Sequence, residues 1–180
     1  MMIFGCILMV GCLIRCATLT DSCLFIPHPV VDYDRIKKVI AKVETAGHPD
    51  HYTLVNRFGY MGKYQFHKST LKSLGFTAHE ISIFLRSPKL QEKAMNKLIT
   101  WNYNYFESQG LFECVGMEIN CVKITKEGML AGAHLVGALS VEHFMWYDGN
   151  MKTTKYKGVI VHKSDGNKTP LTRYMELFNN

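Results

Sequence analysis

The chain reads as a mainly α domain with a minor β component, and three observations carry that reading. Apolar residues recur at helical spacing from Ile36 to Val43 and again from Leu90 to Tyr105. Helix-start signals fall at Thr77-Ala78-His79-Glu80, Pro88, Thr125 and Pro170. The strand signal is confined to Val159-Ile160-Val161, flanked by the turn sequences Asp148-Gly149-Asn150 and Asp165-Gly166-Asn167. A length of 180 residues supports one compact domain with a real core. No repeat or low-complexity tract interrupts it, and the arrangement expected is a cleft between helices.

Residues 1–23 read as a leader. Met1 to Ala17 is apolar apart from Arg15, and that run is short for a membrane span of ~20 residues. Met9-Val10-Gly11-Cys12 resembles a lipoprotein cleavage box, which would leave a lipidated Cys12 as a membrane anchor; the alternative is an ordinary signal peptide cut between Ala17 and Cys23. Either way export to a periplasm or cell envelope is expected. Residues 24–31, with Pro27-His28-Pro29, form a linker, and 32–180 form the domain. Cys6, Cys12, Cys16 and Cys23 fall in the leader region, leaving Cys114 and Cys121 in the domain. Those two can close a small disulfide loop in an oxidising compartment, worth ~2 kcal/mol, or stay as thiols. Without a nearby histidine they make no metal site, and no cofactor is expected.

The elements follow in order. Asp32 or Asp34 caps a helix with Ile36, Val39, Ile40 and Val43 inward, ended by Gly47 and His48-Pro49. Ser69 to Gly75 is a short helix. Thr77 and Glu80 form a capping box opening a helix with Ile81, Phe84 and Leu85 inward. Pro88 starts a helix to about Gln109, with Leu90, Ala94, Leu98, Trp101 and Tyr105 on a core face. Thr125 leads into a helix rich in Ala, Gly and His, whose small residues permit close packing on the first helix. Val159-Ile160-Val161 is a strand or an irregular arm, and Pro170 opens a final helix through Tyr174, Met175 and Phe178.

Glu44 extends the Ile36, Ile40 row by one more i+4 step, so its carboxyl belongs at the rim of the buried stripe. A free glutamate near pKa ~4.3 is protonated about 0.2% of the time at pH 7, while one desolvated to ~6 is protonated roughly 10% of the time. A half-buried carboxyl at a cleft edge therefore suits a general acid. Spacing alone is equally served by a solvated carboxylate paired with Lys37 or Lys38.

Downstream runs Asn56-Arg57-Phe58-Gly59-Tyr60-Met61-Gly62-Lys63-Tyr64-Gln65-Phe66. Glu44, a polar loop and this glycine-punctuated turn resemble the core motif of lysozyme-like lytic transglycosylases: Glu-Ser, a loop, then Gly-Ala-x-Gly-Leu-Met-Gln. Glu44 falls on the catalytic glutamate, Gly59 and Gly62 on the glycines, and Gln65 on the glutamine. Thr45 stands for the serine after the glutamate, and Asn56 for a later serine. Met129 to Gly137 resembles the family's Ala-Ala-Tyr-Asn-x-Gly motif, with His134 at the tyrosine and Leu135 at the asparagine. Val141 and Phe144 continue an apolar helix there. The resemblance spans about Asp32 to Phe178.

That resemblance implies a lysozyme-like fold and cleavage of the β-1,4 bond between N-acetylmuramic acid and N-acetylglucosamine in peptidoglycan. Glu44 would be the catalytic acid and then base. Asn56, Gly59, Tyr60, Tyr64, Gln65 and His134 would line the substrate, with Tyr60 and Tyr64 offering ring faces. Two-carboxylate glycosidases hold the pair ~5 Å or ~6.5–9.5 Å apart. The candidates for a partner are Asp50, Glu107, Glu113, Asp148 and Asp165, none in a paired motif, so a sole glutamate working with the substrate's N-acetyl group is expected. Attack by the sugar C6 hydroxyl gives an anhydro product; attack by water, held by Asp50 or Asp148, gives a muramidase. A non-catalytic wall-binding protein on the same scaffold is the other alternative.

The partners expected are thus glycan strands, with the domain a monomer. A net charge of +6 suits an anionic polymer, but the lysines are scattered, so nucleic acid is not expected.

Overall fold

The computed structural model describes residues 31–147, 149 and 154–179. The expected leader, Cys12 with it, and the residues Asp148 and Asn150 lie outside that set. The domain is mainly helical: seven α-helices and two separate two-stranded antiparallel hairpins are described. No described helix is long and apolar enough to cross a membrane.

Helix α1 spans Tyr33–Thr45, and Asp32 caps it by accepting a hydrogen bond from the Arg35 amide. Ile36 and Ile40 are fully buried, but Val43 is 43% exposed, contrary to the expected stripe. The buried face is therefore narrow, and it is the Ile36–Ile40 row that continues into Glu44. The helix ends because Ala46, at φ 49°, turns left-handed one residue before Gly47.

Short helices α2 (Lys68–Ser73) and α3 (Ala78–Ser82) follow, the latter opened by the Thr77–Glu80 capping box. Helix α4 (Pro88–Ser108) buries Ala94, Met95, Leu98, Ile99 and Phe106. Trp101 is not on that face: it is 59% exposed and stacks on Tyr105. The core face runs through Gln91, Leu98, Asn102 and Phe106, which turns Trp101 outward.

Hairpin β1 (Glu118–Ile119) and β2 (Val122–Lys123) turns through Asn120 and Cys121, both left-handed. Cys121 sits exposed at that tip and Cys114 closes a 3₁₀ turn; no disulfide joins them. Helix α5 (Lys126–Val136) is capped by Thr125 and breaks at Gly137 before α6 (Ala138–Trp146). Helix α5 packs on α1, as expected, and its two glycines face α7. A methyl added at Gly132 would lie 2.5 Å from Leu171, and one at Gly128 would lie 2.8 Å from the Met175 carbonyl. Strands β3 (Thr154–Tyr156) and β4 (Val159–Val161) form the second hairpin, turning at Lys157-Gly158. Helix α7 (Leu171–Glu176) starts after Pro170 and buries Leu171, Tyr174 and Met175.

Candidate active site

Glu44 sits on the last turn of α1, its side chain 19% exposed. The Tyr174 hydroxyl donates to its Oε1 at 2.6 Å, from a residue 130 positions away. His134 Nε2, on α5, lies 3.5 Å from that same oxygen. Among the described residues Oε2 accepts no hydrogen bond. One oxygen is thus anchored and the other left available, on a carboxylate that lines a cleft of ≈ 300 Å³.

The electrostatics correct the sequence expectation. Burial pushes the Glu44 pKa up, as anticipated, but the hydrogen bond and charge of His134 and the hydrogen bond from Tyr174 outweigh it. The net direction is down. The Tyr174 hydroxyl is pushed well up by burial and by the Glu44 and Asp165 charges, so it stays a donor across the physiological range. His134 packs edge-on against Phe66, and its Nδ1 is buried without a partner. The imidazole is held between an aromatic wall and the carboxylate, while Leu135 beside it lines the cleft as an apolar surface.

The glycine turn forms the facing lip. Met61 bridges Val55 on one side and Phe66 on the other, a miniature antiparallel arrangement. Asn56 Oδ1 accepts from the amides of Phe58 and Tyr60, so that side chain shapes the turn while lining the cleft. Gly59 adopts φ 81°, its amide donates to the Asn56 carbonyl, and it is not among the residues that line the cleft, contrary to the expected substrate role. Gly62 adopts φ 75°, and a methyl there would lie 2.0 Å from Gln91 Oε1. Gln91 is fully buried; it accepts from the Lys63 amide and donates to the carbonyls of Tyr52 and Phe84. Gly62 is required because the turn must approach that amide. Gln65 holds a left-handed φ of 49° and donates to the Gly62 carbonyl, yet it lines the cleft as expected.

Tyr60, 40% exposed, lines the cleft and packs against His67. Tyr64 does not reach it, which corrects its expected role. Its ring is fully buried, and its hydroxyl is bonded to both oxygens of Glu92, which also binds Lys63 and Tyr52. The chain reverses between Met61 and Phe66, with left-handed backbone at Gly62 and Gln65, and that turn carries Tyr64 inward to Glu92 while Tyr60 stays at the cleft.

The cleft also holds what spacing did not predict. His67 and Phe58 line it, and the loop Asp165-Gly166-Asn167 closes one side. Past Tyr60 and His134 it continues into a second hollow of ≈ 440 Å³, bordered by Ser69, Ser73, Trp101 and Asn102. Of the candidate second carboxylates, Asp50, Glu107 and Glu113 do not line the cleft, and Asp165 does. Asp50 is solvent-exposed and stands outside the cleft lining. No cluster of three His, Cys, Asp or Glu among the described residues is placed to hold a metal ion.

Tyr174 gave no sequence signal of function, because an apolar-spaced tyrosine on a short final helix reads as core. No protein-family model, curated protein or solved structure matches the chain.

Proposed function

We propose that the domain cleaves β-1,4 glycosidic bonds in peptidoglycan, with Glu44 as the proton donor. The observation that supports this best is the asymmetry at Glu44: Oε1 is held by Tyr174 and His134 while Oε2 is unpartnered in a cleft. A carboxyl placed that way has a fixed orientation and a free oxygen to carry the reacting proton, worth typically ~10²–10⁴ in rate.

The trough suits a polymer rather than a small molecule. The cleft and the hollow beyond it form adjoining spaces with Tyr60 and His134 at their boundary and Trp101 exposed at the far end. Flat aromatic faces beside hydroxyl and amide groups match the alternating apolar faces and polar edges of sugar rings.

In the reaction Glu44 gives its proton to the glycosidic oxygen, and the C1–O bond breaks with its electrons on the leaving oxygen. The substrate's N-acetyl oxygen supports the cation at C1. Glu44, now ionised, is stabilised by the Tyr174 and His134 contacts that lower its pKa. The same contacts oppose protonation in the free enzyme, so activity is expected to rise toward acid pH. Collapse of the cation then follows either the C6 hydroxyl, as expected of a lytic transglycosylase, or water.

Purified peptidoglycan digested with wild type and with Glu44→Gln, and read by mass spectrometry, tests this. New muropeptides with wild type and a loss of ~10² or more with Glu44→Gln are expected. No soluble product from wild type would leave the wall-binding alternative in its place.

A further inference from the structure

We propose that Asp165 is the second carboxylate of this site, taking the proton from a water that adds to C1, so that the enzyme is a hydrolase. This rests on the glycosidic reading of Glu44 above.

Glu44 and Asp165 are the two carboxylates among the described residues that line the cleft, and they arrive from opposite ends of the domain sequence. Glu44 stands on α1; Asp165 stands on the loop between β4 and α7. Tyr174 links their surroundings: its hydroxyl bonds Glu44 and is raised by the charge of Asp165 as well as by that of Glu44. Two other partly or fully buried glutamates are engaged elsewhere. Glu92 binds Lys63, Tyr52 and Tyr64, and Glu142 binds Tyr105, Trp146, Tyr156 and Lys157.

Asp165 is also held as a base needs to be. Its Oδ1 accepts the amides of Asn167 at 2.9 Å and Thr169 at 2.7 Å. Its own amide donates to the Thr169 carbonyl, and the Leu171 amide to that of Lys163, closing the loop. Oδ2 accepts nothing from the described residues, which leaves it for a water. The ≈ 300 Å³ cleft far exceeds the ~10–15 Å³ that one water needs.

The step balances. Glu44 protonates the leaving oxygen as C1–O breaks, the water oxygen bonds to C1, and the water's proton passes to Asp165 Oδ2. Solvent then returns a proton to Glu44 and takes one from Asp165. A reducing end forms at each cut, with solvent oxygen at C1. Without a base for water, the neighbouring C6 hydroxyl has the advantage of being already attached.

The test is digestion of peptidoglycan in H₂¹⁸O by wild type, Asp165→Asn and Glu44→Gln, scoring reducing and 1,6-anhydro ends by mass spectrometry. Asp165→Asn keeps a side-chain carbonyl for the Asn167 and Thr169 amides, so the loop is expected to stay closed. Expected are ¹⁸O-labelled reducing ends with wild type, a loss of ~10² or more in their formation with Asp165→Asn, and a higher anhydro share in what remains. A merely structural defect lowers both products alike and would overturn the assignment. So would mainly anhydro ends from wild type, or unchanged hydrolysis by Asp165→Asn, with the glycosidic reading left standing in both cases. No product from wild type would instead sink that reading itself.

Discussion

Two helix-borne glutamates in this domain, Glu44 and Glu142, keep neighbours of similar kinds and differ in how fully their oxygens are used. Each is largely buried, each accepts from tyrosine hydroxyls, and each has a cation or an imidazole close by. Glu142, 2% exposed, is saturated. Its Oε1 accepts from Trp146, Tyr156 and Lys157, and its Oε2 from Tyr105. Glu44 has every partner on Oε1 and none on Oε2. A saturated carboxylate pins the β3–β4 hairpin to α4 and α6; a half-saturated one is oriented and still able to react. What separates structure from chemistry is the number of lone pairs left over, not burial.

Exchanging each carboxylate for its amide should separate the two roles most sharply. Glu142→Gln leaves a neutral group beside Lys157 and forces an N–H toward donors. A loss of ~1–3 kcal/mol is expected, since the Lys157 side chain is half-exposed, visible in thermal unfolding as a fall of roughly 2–12 °C at ~2–4 °C per kcal/mol. Glu44→Gln should lose ~10² or more in glycan cleavage, with a fall in melting temperature clearly smaller than that of Glu142→Gln. Equal thermal losses in the two variants would erase the distinction.

The tyrosines should divide the same way with smaller effects. Tyr105→Phe removes one of four donors to Glu142, and a loss of ~1 kcal/mol with normal activity is expected. Tyr174→Phe should lower kcat about tenfold while leaving KM nearly unchanged, because it frees the reacting carboxyl to rotate. A Tyr174→Phe enzyme with wild-type kcat would argue against the anchoring role.

Removing His134 acts through protonation. Glu44 is held low, so its acid form, and the rate, decline as the pH rises through that lowered value. His134→Gln takes away the charge and leaves burial to dominate, which raises the Glu44 pKa. The falling limb of kcat/KM against pH should therefore move to higher pH. A limb that stays in place would assign it to another group. The same lowered pKa values mean that Glu44 and Glu142 each stabilise the fold above the ordinary carboxylate range. That contribution is lost as the pH falls through their folded values.

The smallest effect expected is at the far end of the trough. Trp101→Ala should weaken binding of long glycan fragments by ~1 kcal/mol, about fivefold in KM, and leave short fragments unaffected. Equal losses for both lengths would remove Trp101 from the trough.

The helices were legible because their signals are local. Asp32, Thr77 and Thr125 all cap as side-chain acceptors at helix starts, and the i+4 row alone carried Glu44 to the rim of the core. Gly59 and Gly62 were legible as backbone positions, and both adopt left-handed φ. Trp101 was misplaced because its helix turns a mixed face inward, with Gln91 and Asn102 buried where apolar residues were expected. Tyr64 was misplaced because the chain reverses between Met61 and Phe66 through left-handed backbone at Gly62 and Gln65, a turn that no side-chain period predicts.

What the sequence by itself determined is the list of elements and the one carboxylate carried on a core row, since both follow from spacing along a single helix. What only the tertiary structure decided is the company that carboxylate keeps. Tyr174 and His134 reach it from two helices far along the chain, and Asp165 shares its cleft from a loop. No periodicity encodes such a meeting; it is fixed by how α5 and α7 pack, through Gly128 and Gly132, into contact with one another.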